Sequence, residues 1–214
     1  MPESATISNP AVVAAASDAE TVSRTRAGLS VEDFMAGWQH LVEAPLKGLG
    51  REERRTRHYI RYNWDRFQRV SAAYRMSPEA QETFGAMQGQ QTWLFLSEYW
   101  CADAAYSLPI VLAAAKAHGN VEVRFLMRDE NLDIMERYLT SGGRAIPILA
   151  TFDADSQERI KWGSKPGLLA RHRKALQQSG SDGAAVSAAT IDWYEAEGWL
   201  EVEREILALA RVLP

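Results

Sequence analysis

The sequence predicts an α/β protein, a central mixed sheet with helices on its faces. Two patterns predict it. Apolar runs of strand length alternate with helix-length segments between about residues 90 and 178, in the order βαβ and then αββα. Hydrophobic residues make up 46% and charged residues 24% of the 214, so a sizeable core is available and disorder over most of the chain is excluded.

Taken in order, residues 1 to 29 are rich in Ala, Ser, Thr and Val without a sustained apolar period and read as a flexible arm. Ser30, followed by Glu32 and Asp33, caps a helix whose apolar face holds Phe34, Trp38, Leu41 and Val42 and which ends near Pro45 or Gly48. A longer helix is expected from Arg51 to Arg75, with Ile60, Trp64, Phe67, Ser71 and Tyr74 along one stripe. Ser77-Pro78-Glu79 opens a short helix toward Met87. Gln88-Gly89-Gln90 is a joint, after which the period changes.

Beyond it, Thr92 to Ser97 reads as a buried strand, Cys101 to His118 as a helix, and Val121 to Met127 as a second strand. A helix from about Asn131 to Leu139 precedes a third strand, Ile146 to Phe152. The turn Asp153-Ala154-Asp155-Ser156 returns the chain antiparallel as Glu158 to Trp162. A helix from about Leu168 to Gln178, a loop from Ser179 to Ala184 and a last amphipathic helix from Ile191 to Leu209 complete the chain. The expected organisation is an arm at 1–29, a helical extension at 30–88, the sheet domain at 89–178, and a C-terminal loop and helix at 179–214.

Charge and cysteine count narrow the function. With 24 Lys and Arg against 28 Asp and Glu, the net charge of -4 gives no overall case for nucleic acid or an anionic membrane. Charges interrupt every apolar run before membrane-spanning length. The apolar stretch Ala11 to Ala16 is too short for a secretory signal, so the expected location is cytoplasmic. A single cysteine excludes an internal disulfide and any intramolecular dithiol reaction. His40, His58, His118 and His172 lack metal-binding spacing, so neither metal nor cofactor is expected.

Cys101 is the residue to explain. It lies where the strand ending at Ser97 runs through Glu98-Tyr99-Trp100 into a helix. Unpaired N–H groups and the positive end of the dipole at a helix N-terminus favour a thiolate, whereas the nearby carboxylate of Asp103 opposes it. Asp103 fits two roles, an N-terminal capping carboxylate or a proton-transfer group. Pro147 fits a strand-opening proline as well as a cis proline. Arg144 and Arg128 are the cations expected nearest this surface. The Arg51 to Arg75 helix carries eight arginines against Glu52, Glu53 and Asp65, with its aromatics expected to pack inward and leave a basic outer face.

The segment from the first strand into Trp100-Cys101, with Ile146-Pro147 later at the start of a strand, resembles the thioredoxin superfamily. More narrowly, Trp100-Cys101-Ala102-Asp103-Ala104-Ala105, Arg128-Asp129-Glu130-Asn131, Tyr138-Leu139, Gly142-Gly143-Arg144-Ala145-Ile146-Pro147 and Trp193-Tyr194 resemble a bacterial thioredoxin-like family with a helical N-terminal extension. The resemblance implies a thioredoxin-like fold, a reactive Cys101, a cis Pro147, and a docking edge at Ile146 for a substrate's extended backbone. Trp100 and Arg144 would flank that edge. The chain departs from thioredoxin proper at Ala104, where the resolving cysteine of a C-x-x-C pair would stand.

A dithiol reductase is therefore ruled out. What remains is a monothiol protein in which Cys101 is nucleophile, Asp103 a proton-transfer or orienting group, and Trp100, Ile146, Pro147 and Arg144 contact the substrate. Its partners would be protein or peptide thiols and disulfides or a low-molecular-weight thiol that resolves the mixed disulfide. The rival expectation is a non-enzymatic module that docks a peptide or protein on the proline edge while Cys101 is only a packed residue.

Overall fold

The computed structural model describes residues 13–212. One four-stranded sheet has the order β2-β1-β3-β4, formed by β1 (Gln91–Ser97), β2 (Val121–Met127), β3 (Ile148–Phe152) and β4 (Glu158–Gly163). β1 and β2 are parallel, with Gln91 opposite Val121 and Ser97 opposite Met127. β3 runs antiparallel to both β1 and β4. Parallel neighbours need a crossover, and the helix Ala102–His118 supplies it. β1 and β3 are buried along their whole length, as their continuous apolar runs require of central strands covered on both faces. The mixed sheet flanked by helices is the α/β architecture that the alternation predicts.

Four helices precede the sheet: α1 (Asp18–Arg26), α2 (Val31–Glu43), α3 (Arg51–Ala73) and α4 (Pro78–Ala86). The crossover is α5, and α6 (Leu132–Met135) is a single turn between two 3-10 turns. α7 (Gly167–Gln178), α8 (Gly183–Trp193) and α9 (Leu200–Arg211) follow β4. Among the described residues no helix is long and apolar enough to cross a membrane.

Three segments differ from the sequence expectation. Residues 1–12 of the expected arm lie outside the described residues, but the rest of it contains α1. Ser17 and Glu20 form a reciprocal capping box there, and the hydroxyls of Thr21 and Thr25 donate back to the carbonyls of Ser17 and Thr21. Thr21, Val22 and Thr25 form its buried face. Arg24 pairs with Asp133, and Leu29 exchanges two backbone hydrogen bonds of 2.9 Å with Phe125 of β2, so the segment docks on the sheet edge. The expected helix over Asn131 to Leu139 is broken into the short turns around α6.

The third difference is at the C-terminus. α8 starts at Gly183, where Asp182 accepts a hydrogen bond from the Ala185 N–H, so much of the expected loop is helical. The expected single last helix is interrupted between Tyr194 and Gly198, with Glu197 at φ +62°. After this kink α9 packs against α4, α5 and β4. There Glu205 accepts hydrogen bonds from the Trp162 indole and from the N–H of Gly167 at the start of α7, at 2.7 and 2.6 Å. Glu203 accepts from the Ser77 N–H ahead of α4. Two carboxylates of one helix thus satisfy open donors at the starts of two others.

The N-terminal helices reach the end of β1 through aromatic packing. Phe34 of α2 stacks on Phe125 of β2 at 4.1 Å and lies 4.7 Å from the Tyr99 ring. Trp38 sits among Trp64, Phe67 and Tyr99 and donates its indole N–H to the Ile60 carbonyl. Trp64 and Phe67 therefore pack inward as expected of this stripe. Tyr59 and Tyr62 do not; they are exposed. Arg57 and Arg61 donate to carbonyls at the C-terminal end of α2, and Arg69 makes a bidentate pair with Glu195.

Candidate functional site

The site is the connection from β1 into α5. Asn63 of α3 donates its amide to the Tyr99 carbonyl, the Cys101 N–H donates to the Glu98 carbonyl, and Cys101 occupies the N-cap position. The Glu98 side chain accepts the Asp129 N–H at 2.9 Å, tying this loop to the end of β2; burial pushes its carboxyl above the ordinary value. The first-turn N–H groups of Asp103 and Ala104 lie close enough to Cys101 to favour its charged form.

The structure brings Cys101 to Ile146 and Pro147. Its sulfur lies 3.4 Å from the Ile146 carbonyl oxygen, as donor, and the Ile146–Pro147 peptide is cis. β3 begins at Ile148, two residues after the expected start, since Pro147 has no N–H to place in the ladder. All three residues are buried, with Cys101 only 6% exposed. Removal from water, reinforced by the Asp103 carboxylate, pushes the thiol up to about 12, against the pull of Lys165 and the helix N–H groups. At neutral pH this sulfur is a protonated thiol. The helix-start argument for a thiolate is outweighed by burial, which the sequence does not display.

Asp103 has partners that come from far along the chain. The Tyr194 hydroxyl donates to it at 2.8 Å, and the Lys165 ammonium lies 3.4 Å away. Burial raises the Asp103 carboxyl above its ordinary value despite Lys165 and Tyr194, and burial also raises Tyr194. Tyr194 stacks on Tyr106 of α5 at 4.3 Å, and Tyr106 donates to Glu195. Arg69 holds the Glu195 carboxyl down at about 2. The arrangement is a relay of hydrogen bonds and ion pairs that fixes the first turn of α5 against α3 and the C-terminal helices.

Of the two expected cations, Arg128 stays beside Trp100 and Arg144 turns to Glu136. Arg144 is exposed and pairs with Glu136 at 2.6 Å. Arg128 pairs with Asp129, donates to the Arg144 carbonyl at 3.2 Å and lies 4.9 Å over the Trp100 ring. Neither pairs with Asp103; Lys165 does. Sequence reading found neither Lys165, in the break before α7, nor Tyr194 as a partner of Asp103. Trp199, ahead of α9, meets Tyr74 edge-on at 5.9 Å. His118 is at the opposite end of α5 with both ring nitrogens buried and unpartnered, so it is no base for Cys101. Among the described residues no cluster of His, Cys, Asp and Glu is placed to hold a metal ion.

A model of the thioredoxin family matches residues 52–176, more than half of the chain. The chain belongs to this family. No curated protein matches. Among solved structures, a protein of unknown function from Pseudomonas aeruginosa is similar at 16% identity and TM-score 0.57, over 92% of this chain and 98% of that one. An HIV epitope-scaffold is similar at 18% identity and TM-score 0.59, over 93% of this chain and 100% of that one. These likenesses extend the shared fold across the added helices: this is a thioredoxin-like α/β fold with extra helices at both ends of the sheet domain.

The raised carboxyl of this thioredoxin-family chain has a pH consequence. A folded-state value above the unfolded one means that Asp103 favours folding most below about pH 3.8, and that this contribution is lost as pH rises through the folded value. Asp103→Asn retains an acceptor for the Tyr194 hydroxyl and removes the buried charge. Relative to wild type, the variant is expected to gain stability as pH rises from 4 to 7, because it has no carboxyl to ionise in the buried site. Urea unfolding of both proteins across this range checks it; a variant less stable at pH 7 than at pH 4, relative to wild type, contradicts the assignment.

Proposed function

We propose that the chain is a monothiol thioredoxin-like protein whose Cys101 exchanges with a mixed disulfide supplied by another molecule, and whose thiol is closed and protonated at rest. The observation that carries this reading is the sulfur of the sole cysteine lying 3.4 Å from the Ile146 carbonyl, next to Pro147. Burial is the largest cause of the raised thiol value, so a substrate that opens the site relieves it. The helix N–H groups and Lys165 then act on the sulfur in the thiolate's favour. Asp103 takes part as proton-transfer or orienting group. The Ile146–Pro147 edge docks the substrate backbone, with Trp100 and Arg144 flanking it.

In the reaction, the Cys101 thiolate attacks one sulfur of the incoming disulfide. That S–S bond breaks, a Cys101 mixed disulfide forms, and the other sulfur leaves as a thiol after taking a proton. Ala104 supplies no second thiol, so an external thiol attacks the adduct, restores the Cys101 thiol and leaves as a disulfide. The electrons come from that external thiol.

Turnover of a glutathionylated peptide in the presence of glutathione tests this. A Cys101 adduct in the intact mass and turnover abolished in Cys101→Ser are expected; equal turnover in Cys101→Ser overturns the reading. A second reading, a module that docks a peptide without thiol chemistry, draws on the protonated, hydrogen-bonded state of the same sulfur. It requires that no adduct form under these conditions.

A further inference from the structure

The exposed face of α3 continues through a series of clefts to Trp100 and Ala102, the chain neighbours of the buried Cys101. A groove of about 770 Å³ is lined by Arg51, Arg54, Arg55, Tyr59 and Tyr62, with Glu52 among them. Tyr59 and Arg55 continue into a smaller cleft of about 230 Å³ that reaches Trp100. Tyr59 and Trp100 then line a third cleft of about 300 Å³, with Arg66 and Arg173 on its walls and Ala102 and Asp103 at its end. Trp100 and Ala102 are the residues on either side of Cys101.

The chemistry of this surface is cationic and aromatic. Five arginines face two carboxylates, Glu52 and Asp103. Among the described residues Arg51, Arg54, Arg66 and Arg173 have no carboxylate at ion-pair distance. Tyr59 and Tyr62 are 46% and 58% exposed, although the rest of the aromatic stripe on α3 is packed inward. Arg and Tyr side chains presented together on one helix suit carboxylate recognition with partial burial of apolar surface.

We infer that this surface docks an acidic, extended segment of a partner protein and leads it to Trp100 and Ala102, beside the buried Cys101. Charge complementarity selects the occupant: the patch is positive on a chain whose net charge is -4. That negative background opposes a long polyanion such as nucleic acid, whereas a short acidic segment meets only the local field. The inference rests on the proposed function for the purpose of docking and not for the docking itself.

The test therefore uses full-length Cys101→Ser protein, in which thiol exchange is impossible. A short fluorescein-labelled peptide rich in Glu and Asp is titrated by anisotropy, beside its Gln and Asn counterpart and a single-stranded oligonucleotide of equal charge. The acidic peptide is expected to bind, more weakly with rising salt, and the neutral peptide not to bind. Arg55→Glu and Tyr59→Ala should each weaken it about tenfold, the effect expected when contacts at the centre of a small interface are lost. Arg51→Glu should act in the same direction, and Lys116→Glu, in the last turn of α5, should not. No binding of the acidic peptide, equal binding of both peptides, tighter binding of the oligonucleotide, or indifference to Arg55→Glu, Tyr59→Ala and Arg51→Glu overturns the inference. Failure here leaves thiol exchange by wild-type protein standing, and failure of exchange leaves the docking result intact.

Discussion

Alanine at Gly163 is expected to destabilise the protein by about 3 kcal/mol. Gly163 ends β4 opposite Ile148 and has φ +137°, a region that residues with a Cβ rarely adopt. A Cβ there would lie 2.3 Å from the Pro147 carbonyl oxygen and 3.0 Å from the Ile148 Cδ1. The first contact is with backbone, which cannot swing aside as a side-chain end can. Relief requires either β4 or the Ile146–Pro147 segment to move, and the second choice disturbs the carbonyl that faces Cys101. A loss of this size lowers the melting temperature of a chain of this length by about 6–12 °C. Gly183→Ala is the control, since nothing lies within 4 Å of its Cβ position at the start of α8. Thermal unfolding of the two variants should separate them clearly; a Gly163→Ala protein within 1 kcal/mol of wild type contradicts the close approach.

The sheet was the most legible part of the sequence, for a physical reason. Thr92 to Ser97 and the run ending at Phe152 are central strands, so their continuous apolar character marks them without help from neighbours. α8 was not legible, because Gly183 to Trp193 is mainly Ala, Ser and Thr and its buried contribution is Val186 and Thr190 rather than an apolar stripe. α1 is hidden in the same way, its burial carried by two threonines and one valine. The kink at Glu197 leaves its mark one residue later. A Cβ at Gly198 would lie 2.4 Å from the Trp193 carbonyl oxygen, a contact that local sequence does not reveal.

At the candidate site, Cys101 and Pro147 were legible as residue types in local context, Trp-Cys at a helix start and Ile-Pro before a strand. Lys165 and Tyr194 were not, because they meet Asp103 only through the packing of segments distant in the chain. The protonation of Cys101 was hidden for the same reason. Position at a helix N-terminus is local and favours the thiolate, but burial is a property of the whole fold and here dominates.

The closed, protonated thiol has a large kinetic consequence. With the thiol pushed up from an ordinary value of 9.0 to about 12, its thiolate fraction at pH 8 is about a thousandfold below that of an unperturbed cysteine. Reaction requires the thiolate, so native alkylation should slow by a similar factor, limited from below by any opening of the site. Asp103→Asn removes a contributor to the raised value and should accelerate the reaction. The direct measurement is the alkylation rate of Cys101 by iodoacetamide in native wild-type protein from pH 6 to 11, against the same protein unfolded in urea. A native rate orders of magnitude below the unfolded rate at pH 8, still rising at pH 11 without a plateau, is the predicted result. A native rate that saturates near or below pH 8.5 and equals or exceeds the unfolded rate would contradict it.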